Sequence, residues 1–454
     1  MLSVNEILKG TRGKLFSACP HKKINGFSID SRTIKKGEAF IAIKGDNFDG
    51  HNFIGEALKR GACCIIAGPK MKTRITSAAI FIEVKDTQDA LADIARALRI
   101  KYNIPVIAVS GSAGKTTLKD MLTCVLSAKF KVLGNEGTKN NHIGLPLTLC
   151  GLNNSHEIAV LELGTNHPGE IRHLAGICLP NVGVITNIGP AHLEHFSDLK
   201  GVFKEKYILI ESLRSPCLAI LNSDDALLHK NILKSCLKPF ILSFGIRAAA
   251  DFSASHIRYN AKGIEFLLNG KHKFHLRTAG ANNVYNALAA VAVARVFGME
   301  YQTICRRLAD FSFPKGRLNF KFINNVKFID DTYNSNPLSL KQALDALEKL
   351  RPAGRKIFVM GDMLELGDAK EEFHREAGFN SARICDIFIT VGTLSRLAAK
   401  QAAASGLKTQ NIFTCSNAAE ARSILMNKIS LQEGDIVLVK GSRAMRMEEV
   451  LNVI

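Results

Sequence analysis

No apolar run in this chain is long enough to cross a bilayer. A membrane-spanning helix is therefore not expected. The first residues, Met-Leu-Ser-Val-Asn-Glu, lack the basic-then-apolar layout of a signal peptide. The eleven cysteines include no Cys-x-x-Cys pair and form no framework of spacings. An odd, scattered set argues against a disulfide scaffold and for reduced thiols in a cytoplasm. Cys63 and Cys64 stand side by side in an apolar stretch and read as core residues. Acidic residues are also scarce: 41 Asp and Glu face 60 Lys and Arg, a formal charge of +19. That imbalance suggests a nucleic acid or a small anionic substrate. The basic residues occur in no long run and are not interleaved with aromatics, so no nucleic-acid motif is found. A solvated basic surface with an anionic small-molecule substrate is the simpler account.

What the chain does contain is organised around Val106 to Thr117. Four apolar residues run into Gly111, Ser112, Ala113 and Gly114, followed by Lys115, Thr116 and Thr117. Leu118, Met121, Leu122, Val125 and Leu126 then repeat with helical spacing. Strand, glycine loop and helix in that order make a phosphate cradle: backbone N–H groups and the helix N-terminus face the anion. Lys115 would reach the outer phosphates and the Thr116 hydroxyl would sit on Mg²⁺. The general pattern has a further glycine where this chain has Val109. An ordinary strand-to-helix turn is the alternative.

The length fits three domains. Residues 1–103 read as a small α/β unit, with Pro105 near its boundary. Residues 104–313 read as a central unit of short buried parallel strands: Ile158 to Leu163, Val182 to Ile188 and Leu218 to Leu221. Asp251 to Ala279 looks like a small antiparallel insertion, and Asn282 to Val296 is an alanine-rich helix. Residues 314–454 alternate strands and helices again, a doubly wound pattern without a glycine loop of its own.

Polar residues collect where strands end, which is where open α/β sheets bind ligands. Glu162 closes one strand, and His192 follows the next. Lys115, Thr116, Glu162 and His192 can therefore converge, although a salt bridge for Glu162 or a surface position for His192 is the plainer alternative. His192 and His195 are three apart, but no further ligand completes a zinc site. A magnesium role is preferred for His192, and none is assigned to His195. Asn283 and Asn286 lie one turn apart at a helix start. Asp330 to Pro337 forms a dense polar loop, either simple turn chemistry or a site. Asp30-Ser31-Arg32, taken alone, is a solvated turn.

These stretches together resemble the Mur ligases, ATP-dependent amide-bond ligases of bacterial cell-wall synthesis. The resemblance covers nearly the whole chain. It runs through Asp30-Ser31-Arg32, residues 111–117, Asn140 to Pro146, Glu162 to Glu170, Asn187 to Phe196 and Asn283 to Ala290. It continues through Gly316-Arg317, Asp330 to Pro337, Gly361-Asp-Met-Leu-Glu-Leu-Gly367 and Val439 to Glu449. The last two point to the branch that joins D-alanyl-D-alanine to UDP-N-acetylmuramoyl-tripeptide. The short glycine loop of that family also accounts for Val109.

The resemblance implies a UDP-binding first domain, a central P-loop ATPase and a Rossmann-like third domain. It implies activation of a carboxylate as an acyl phosphate, then attack by the dipeptide amine. Lys115 would neutralise the β- and γ-phosphates; Thr116 and Glu162 would hold one Mg²⁺, and His192 a second. Lys206, with Lys204 as a neighbouring alternative, matches a lysine that the family carries as a carbamate; an exposed helix lysine is the other reading. Asn283, Asn286, Arg317, Asp331 and Asn336 match ATP-contacting positions. Ser31 and Arg32 match the UDP-binding turn, with Asn140, Asn141 and His167 as looser substrate candidates. His195 and Ser197 replace common glycines, and Thr165 a common alanine. The expected protein is a cytoplasmic monomer that binds no nucleic acid. Two alternatives share much of this pattern. One is the sister ligase that adds a third amino acid, whose Asp-Asn-Pro-Arg-type site is missing here. The other is a folylpolyglutamate-synthase-like ligase, which would not need the first domain.

Overall fold

The computed structural model describes residues 1–16, 22–45, 48–69, 79–234, 240–260, 263–323, 325–350 and 352–452. Three large sheets organise the chain, beside a two-stranded pair of Leu2–Ser3 with Lys23–Ile24. The first has five strands, drawn from Lys14–Leu15, Phe27–Ser28, Ala39–Ile41, Cys64–Ala67 and Ile80–Glu83. Its helix Thr87–Lys101 starts where Asp86 accepts the N–H groups of Gln88 and Asp89, as an N-cap should. That helix also packs on the central unit. Arg99 is buried and donates to the carbonyls of Cys178 and Leu179, 2.8 and 3.1 Å away. A single apolar core runs from Leu2 through this helix to one face of the central sheet. The first and central units are thus joined by packing, whatever the sequence position of Pro105.

The central sheet has nine strands. Val106–Ser110 lies in its parallel part, between Ile158–Glu162 and Val182–Ile185. All three strands are buried along their length, which explains their unbroken apolar sequence. The chain crosses from one side of Val106–Ser110 to the other between Ile158–Glu162 and Val182–Ile185. This makes a switch point, with a crevice at the carboxyl ends of these strands.

The strands Phe252–Asn260, Gly263–Leu268 and His272–Leu276 pair antiparallel with one another. They extend the same sheet, because Phe244 and Gly245 pair with Phe252 and Ser253. Their alternating Ile264, Phe266, Leu268, Phe274 and Leu276 enter the core beneath the loop helix Lys115–Leu126. From Ala287 to Ala294, helix Asn282–Val296 is apolar all round and buried in that core, as such stretches are.

The third sheet has six strands. Val326–Asp331, Ile436–Lys440, Lys356–Gly361, Ile387–Val391 and Ile412–Cys415 run parallel, with Asn319–Ile323 antiparallel at one edge. Helix Pro337–Lys349 buries Leu340, Ala343, Leu344 and Leu347, the face its periodicity predicts. The architecture is α/β with a three-domain arrangement. Among the described residues, no helix is long and apolar enough to cross a membrane.

Candidate active site

The glycine loop is shaped by its neighbours. Gly111 adopts φ +143°, and a Cβ there would lie 1.9 Å from Thr186 Oγ1. Only glycine lets the chain pass. Thr186 Oγ1 and Asn187 Nδ2 donate to the Ala113 carbonyl at 2.6 and 3.0 Å, and Asn187 Oδ1 accepts the Ala113 N–H at 3.0 Å. Ser112 Oγ donates to the Gly189 carbonyl at 2.9 Å. The adjacent strand end therefore holds the loop open. Gly114, at φ +85°, starts the helix that carries Lys115, Thr116 and Thr117. Lys115 Nζ donates to the Gly111 carbonyl at 2.9 Å. Burial pushes its ammonium below the usual lysine value, against the opposing pull of Glu162.

Glu162 is buried at the end of its strand. Its Oε1 accepts Asn140 Nδ2 at 2.7 Å. Its Oε2 is buried and has no hydrogen-bond partner among the described residues. A buried carboxylate oxygen without a partner is costly unless something positive approaches it. Among the described residues, no group of three His, Cys, Asp or Glu side chains forms a metal cage. Mg²⁺ does not require one, since it keeps waters and phosphate oxygens beside one or two carboxylates. Glu162 with the Thr116 hydroxyl fits that pattern of donors.

Thr116 Oγ1 accepts a hydrogen bond from Arg317 at 3.1 Å, and the guanidinium lies 4.1 Å over the Tyr333 ring. Arg317 stands between the central and third units, so it bridges them. Asn286 Nδ2 donates to Asn283 Oδ1 at 3.0 Å, and Asn283 to Thr278 Oγ1 at 2.9 Å. Asn286 lies so close to Gly114 that a Cβ there would come 2.8 Å from its Oδ1. Both asparagines are buried against the loop.

From the third unit, Asp331 ends its strand and receives Lys440 Nζ at 2.6 Å and the Leu318 N–H at 3.2 Å. Asp330 and Asp331 belong to the strand itself; the polar loop starts after them. Asn336 caps helix Pro337–Lys349 by accepting the Ser339 N–H. These groups and the glycine loop line one cavity of about 960 Å³. Lys115, Thr116, Glu162, His192, Asn286 and Asp331 all face it.

His192 has φ +53° and Glu365 φ +61°. Such a backbone costs a non-glycine residue on the order of 1–3 kcal/mol. The two side chains meet, Nδ1 to Oε2, at 2.7 Å. His192 holds the Glu365 carboxyl below its usual range, with His195 and His167 adding to the effect. His195 stacks on His167, ring centres 4.1 Å apart.

Lys204 is exposed, whereas Lys206 is buried on the same helix. Burial pushes the Lys206 amine well below its usual value; Lys115 reinforces this and Glu205 opposes it. A neutral amine is the form that can accept CO₂.

Other candidates lie elsewhere. Ser31 is buried and donates to Glu56 at 2.9 Å; Arg32 pairs with Asp30 and faces solvent. Neither lines the cavity, and nor does the exposed His167. Asn141 lines it while its Oδ1 accepts the Gly144 N–H at 2.8 Å. Asn140 lines the cavity as well, with its amide turned to Glu162.

Sequence reasoning gave no role to Asn135, Glu205 or Lys440. Asn135 accepts the Glu162 N–H and donates to its carbonyl, fixing the strand end. Glu205 accepts the N–H groups of Gly169 and Ile171 at 2.8 Å each, capping helix Glu170–Cys178 from a different helix. Their partners lie tens of residues away, and no local pattern announces them.

Three stretches of the chain match known family domains. Residues 23–99 match the Mur ligase family, catalytic domain; residues 109–294 the Mur ligase middle domain; residues 316–443 the Mur ligase, glutamate ligase domain. A UDP-N-acetylmuramoyl-tripeptide–D-alanyl-D-alanine ligase of Bacillus subtilis is 33% identical over 454 residues, 99% of this chain and 96% of the relative. The structure of MurF from Acinetobacter baumannii is similar with a TM-score of 0.88 at 32% identity, covering 99% of this chain and 97% of that one. MurF ligase from Thermotoga maritima in complex with ADP gives 0.82 at 31% identity, over 94% and 96%.

Proposed function

The chain belongs to the Mur ligase family, and from that premise we propose that it joins D-alanyl-D-alanine to UDP-N-acetylmuramoyl-tripeptide with consumption of ATP. One observation carries the ligase chemistry: the glycine loop and the strand-end groups of the third unit line the same cavity. The full-length likeness to ligases of that name carries the choice of dipeptide.

A carboxylate is a poor acyl donor because its oxygen leaves badly. Transfer of the γ-phosphoryl group gives an acyl phosphate; the dipeptide amine then attacks its carbonyl, and inorganic phosphate leaves. Positioning and charge neutralisation dominate such transfers. Lys115 and the loop N–H groups receive the phosphates. Asn283 and Asn286 back the loop. Arg317 is a planar cation at the junction of two units and clamps phosphate when they close. Asp331 and Asn336 stand on the ATP side of the third unit.

Thr116, Glu162 and His192 are the residues that would hold Mg²⁺, which when bound screens the charge gathering on the phosphates. The orphaned Glu162 Oε2 supports this assignment. Lys206 is the residue we assign as a carbamate, since burial favours its uncharged amine, which on adding CO₂ and releasing a proton becomes an anion. The UDP part of the substrate is assigned to the first unit, with Ser31 and Arg32, and the peptide approaches past Asn141 and His167. A nucleotide substrate and nine described cysteines that are all free accord with a cytoplasmic site of action.

The test is phosphate release from ATP with the muramoyl tripeptide, with and without D-alanyl-D-alanine, the product being weighed. Dipeptide-dependent release with a pentapeptide product is expected. Turnover with a single amino acid but not the dipeptide would replace this reading with that of the sister ligase.

A further inference from the structure

We propose that Glu365 is a positioning residue: it holds His192, which lines the cavity, in the tautomer with its proton on Nδ1 and leaves Nε2 bare. The use made of Nε2 rests on the ligase reading; the tautomer does not.

The geometry begins with the 2.7 Å contact between Nδ1 and Glu365 Oε2. An ionised carboxylate only accepts, so the shared proton is carried by the ring. His192 makes no other side-chain hydrogen bond among the described residues. Ligand histidines are commonly fixed in this way, through the nitrogen that does not face the metal. Left alone in water, the neutral histidine ring favours the proton on Nε2, so the carboxylate changes the outcome.

The loop that carries Glu365 is built to place it. Asp362 accepts the N–H groups of Thr393, Leu394 and Ser395, at 3.0, 3.2 and 2.7 Å. Met363 N–H is held by His374 Nε2 at 3.1 Å, and Leu364 N–H by Ser442 Oγ at 2.9 Å. Three successive residues are thus anchored before the chain turns left-handed at Glu365. The Glu365 side chain is 55% exposed and that of His192 21%. Ion pairs this exposed add little to stability, so the contact is poorly suited to stapling two domains. Its value lies in orientation. Because Glu365 belongs to the third unit and His192 to the central one, the ring is set only while the two are docked. Arg317 reaches Thr116 from the same side, so both of these proposed metal-site side chains are touched across the junction.

The test uses full-length protein labelled with ¹⁵N-histidine, with the His192 signals assigned through His192→Gln. Glu365→Gly removes the carboxylate while suiting the left-handed backbone, so backbone strain cannot explain a loss. Glu365→Gln keeps an oxygen that can accept from Nδ1. The proton is expected on Nδ1 in the parent and in Glu365→Gln, and on Nε2 in Glu365→Gly. kcat is expected to fall about 10- to 100-fold in Glu365→Gly, with KM for ATP little changed and most of the loss restored in Glu365→Gln. An unchanged tautomer in Glu365→Gly overturns the proposal, as does a changed tautomer with unaltered kcat. If the parent fails to turn over the tripeptide, the ligase reading falls alone, because the tautomer is read without turnover.

Discussion

Lys440 and Asp331 are register partners on adjacent parallel strands, and their side chains meet at 2.6 Å with almost no access to water. A buried pair of this kind need not add much net stability, because desolvation offsets the attraction. Removing one partner is different, since it strands a buried charge. Lys440→Met should therefore lower unfolding free energy by about 3–5 kcal/mol. Adding Asp331→Asn to that variant should recover much of the loss. Urea unfolding of the parent, single and double variants measures this. A single variant within about 1 kcal/mol of the parent would mean the pair is effectively solvated.

Asn140 controls the other carboxylate. Its amide occupies Glu162 Oε1, which leaves Oε2 as the free donor. Asn140→Ala should weaken Mg²⁺ dependence by about 10- to 100-fold, the usual effect of losing a group that orients a ligand. Nucleotide binding without metal should change little. Mg²⁺ titration of phosphate release, beside ADP binding in chelator, separates the two. Equal losses in both assays would make Asn140 a general loop support.

Two glycines make a matched pair. At Gly111 a methyl group would overlap Thr186 Oγ1, and the backbone is left-handed. At Gly176, inside helix Glu170–Cys178, an added Cβ meets nothing within 4 Å. Gly111→Ala should abolish nucleotide binding while the fold survives. Gly176→Ala should leave binding intact and raise stability by up to about 1 kcal/mol. Thermal shift with and without ADP reads both. Nucleotide protection retained in Gly111→Ala would show that the loop can relax around a Cβ.

How much of this was legible follows from how local each signal is. The glycine loop, helix Asn282–Val296 and the apolar face of Pro337–Lys349 are encoded by consecutive residues, and all are found where periodicity puts them. Strands Asn319–Ile323 and Ile412–Cys415 escaped notice; both are edge strands, only partly buried, with weak apolar patterns. The strands of Asp251 to Ala279 pair antiparallel with one another as their alternation suggests, but their attachment to the central sheet is not legible. Alternation reveals which face is buried, not which sheet the strand joins. Buried Lys206 against exposed Lys204 is a distinction of helix phase that only packing resolves.

The last prediction concerns pH. His374 is fully buried; its Nε2 accepts the Met363 N–H, and its Nδ1 donates to the Lys370 carbonyl at 2.5 Å. Both bonds need the neutral ring with its proton on Nδ1. Burial lowers its pKa, with the Lys370 carbonyl and Asp362 opposing. In the unfolded chain the ring titrates near 6.5. Below that value the unfolded state binds a proton that the native state resists, so stability must fall as pH falls. The loss starts near pH 6.5, grows on acidification and levels off below the lowered native pKa; above the unfolded value the His374 contribution is flat. His374→Gln keeps a polar side chain but cannot titrate. It should be less stable than the parent at about pH 8 and should lose less stability between about pH 7.5 and 5.5. Urea midpoints across that range decide it. Parallel slopes in parent and variant would mean that His374 accepts its proton without unfolding the loop that presents Glu365.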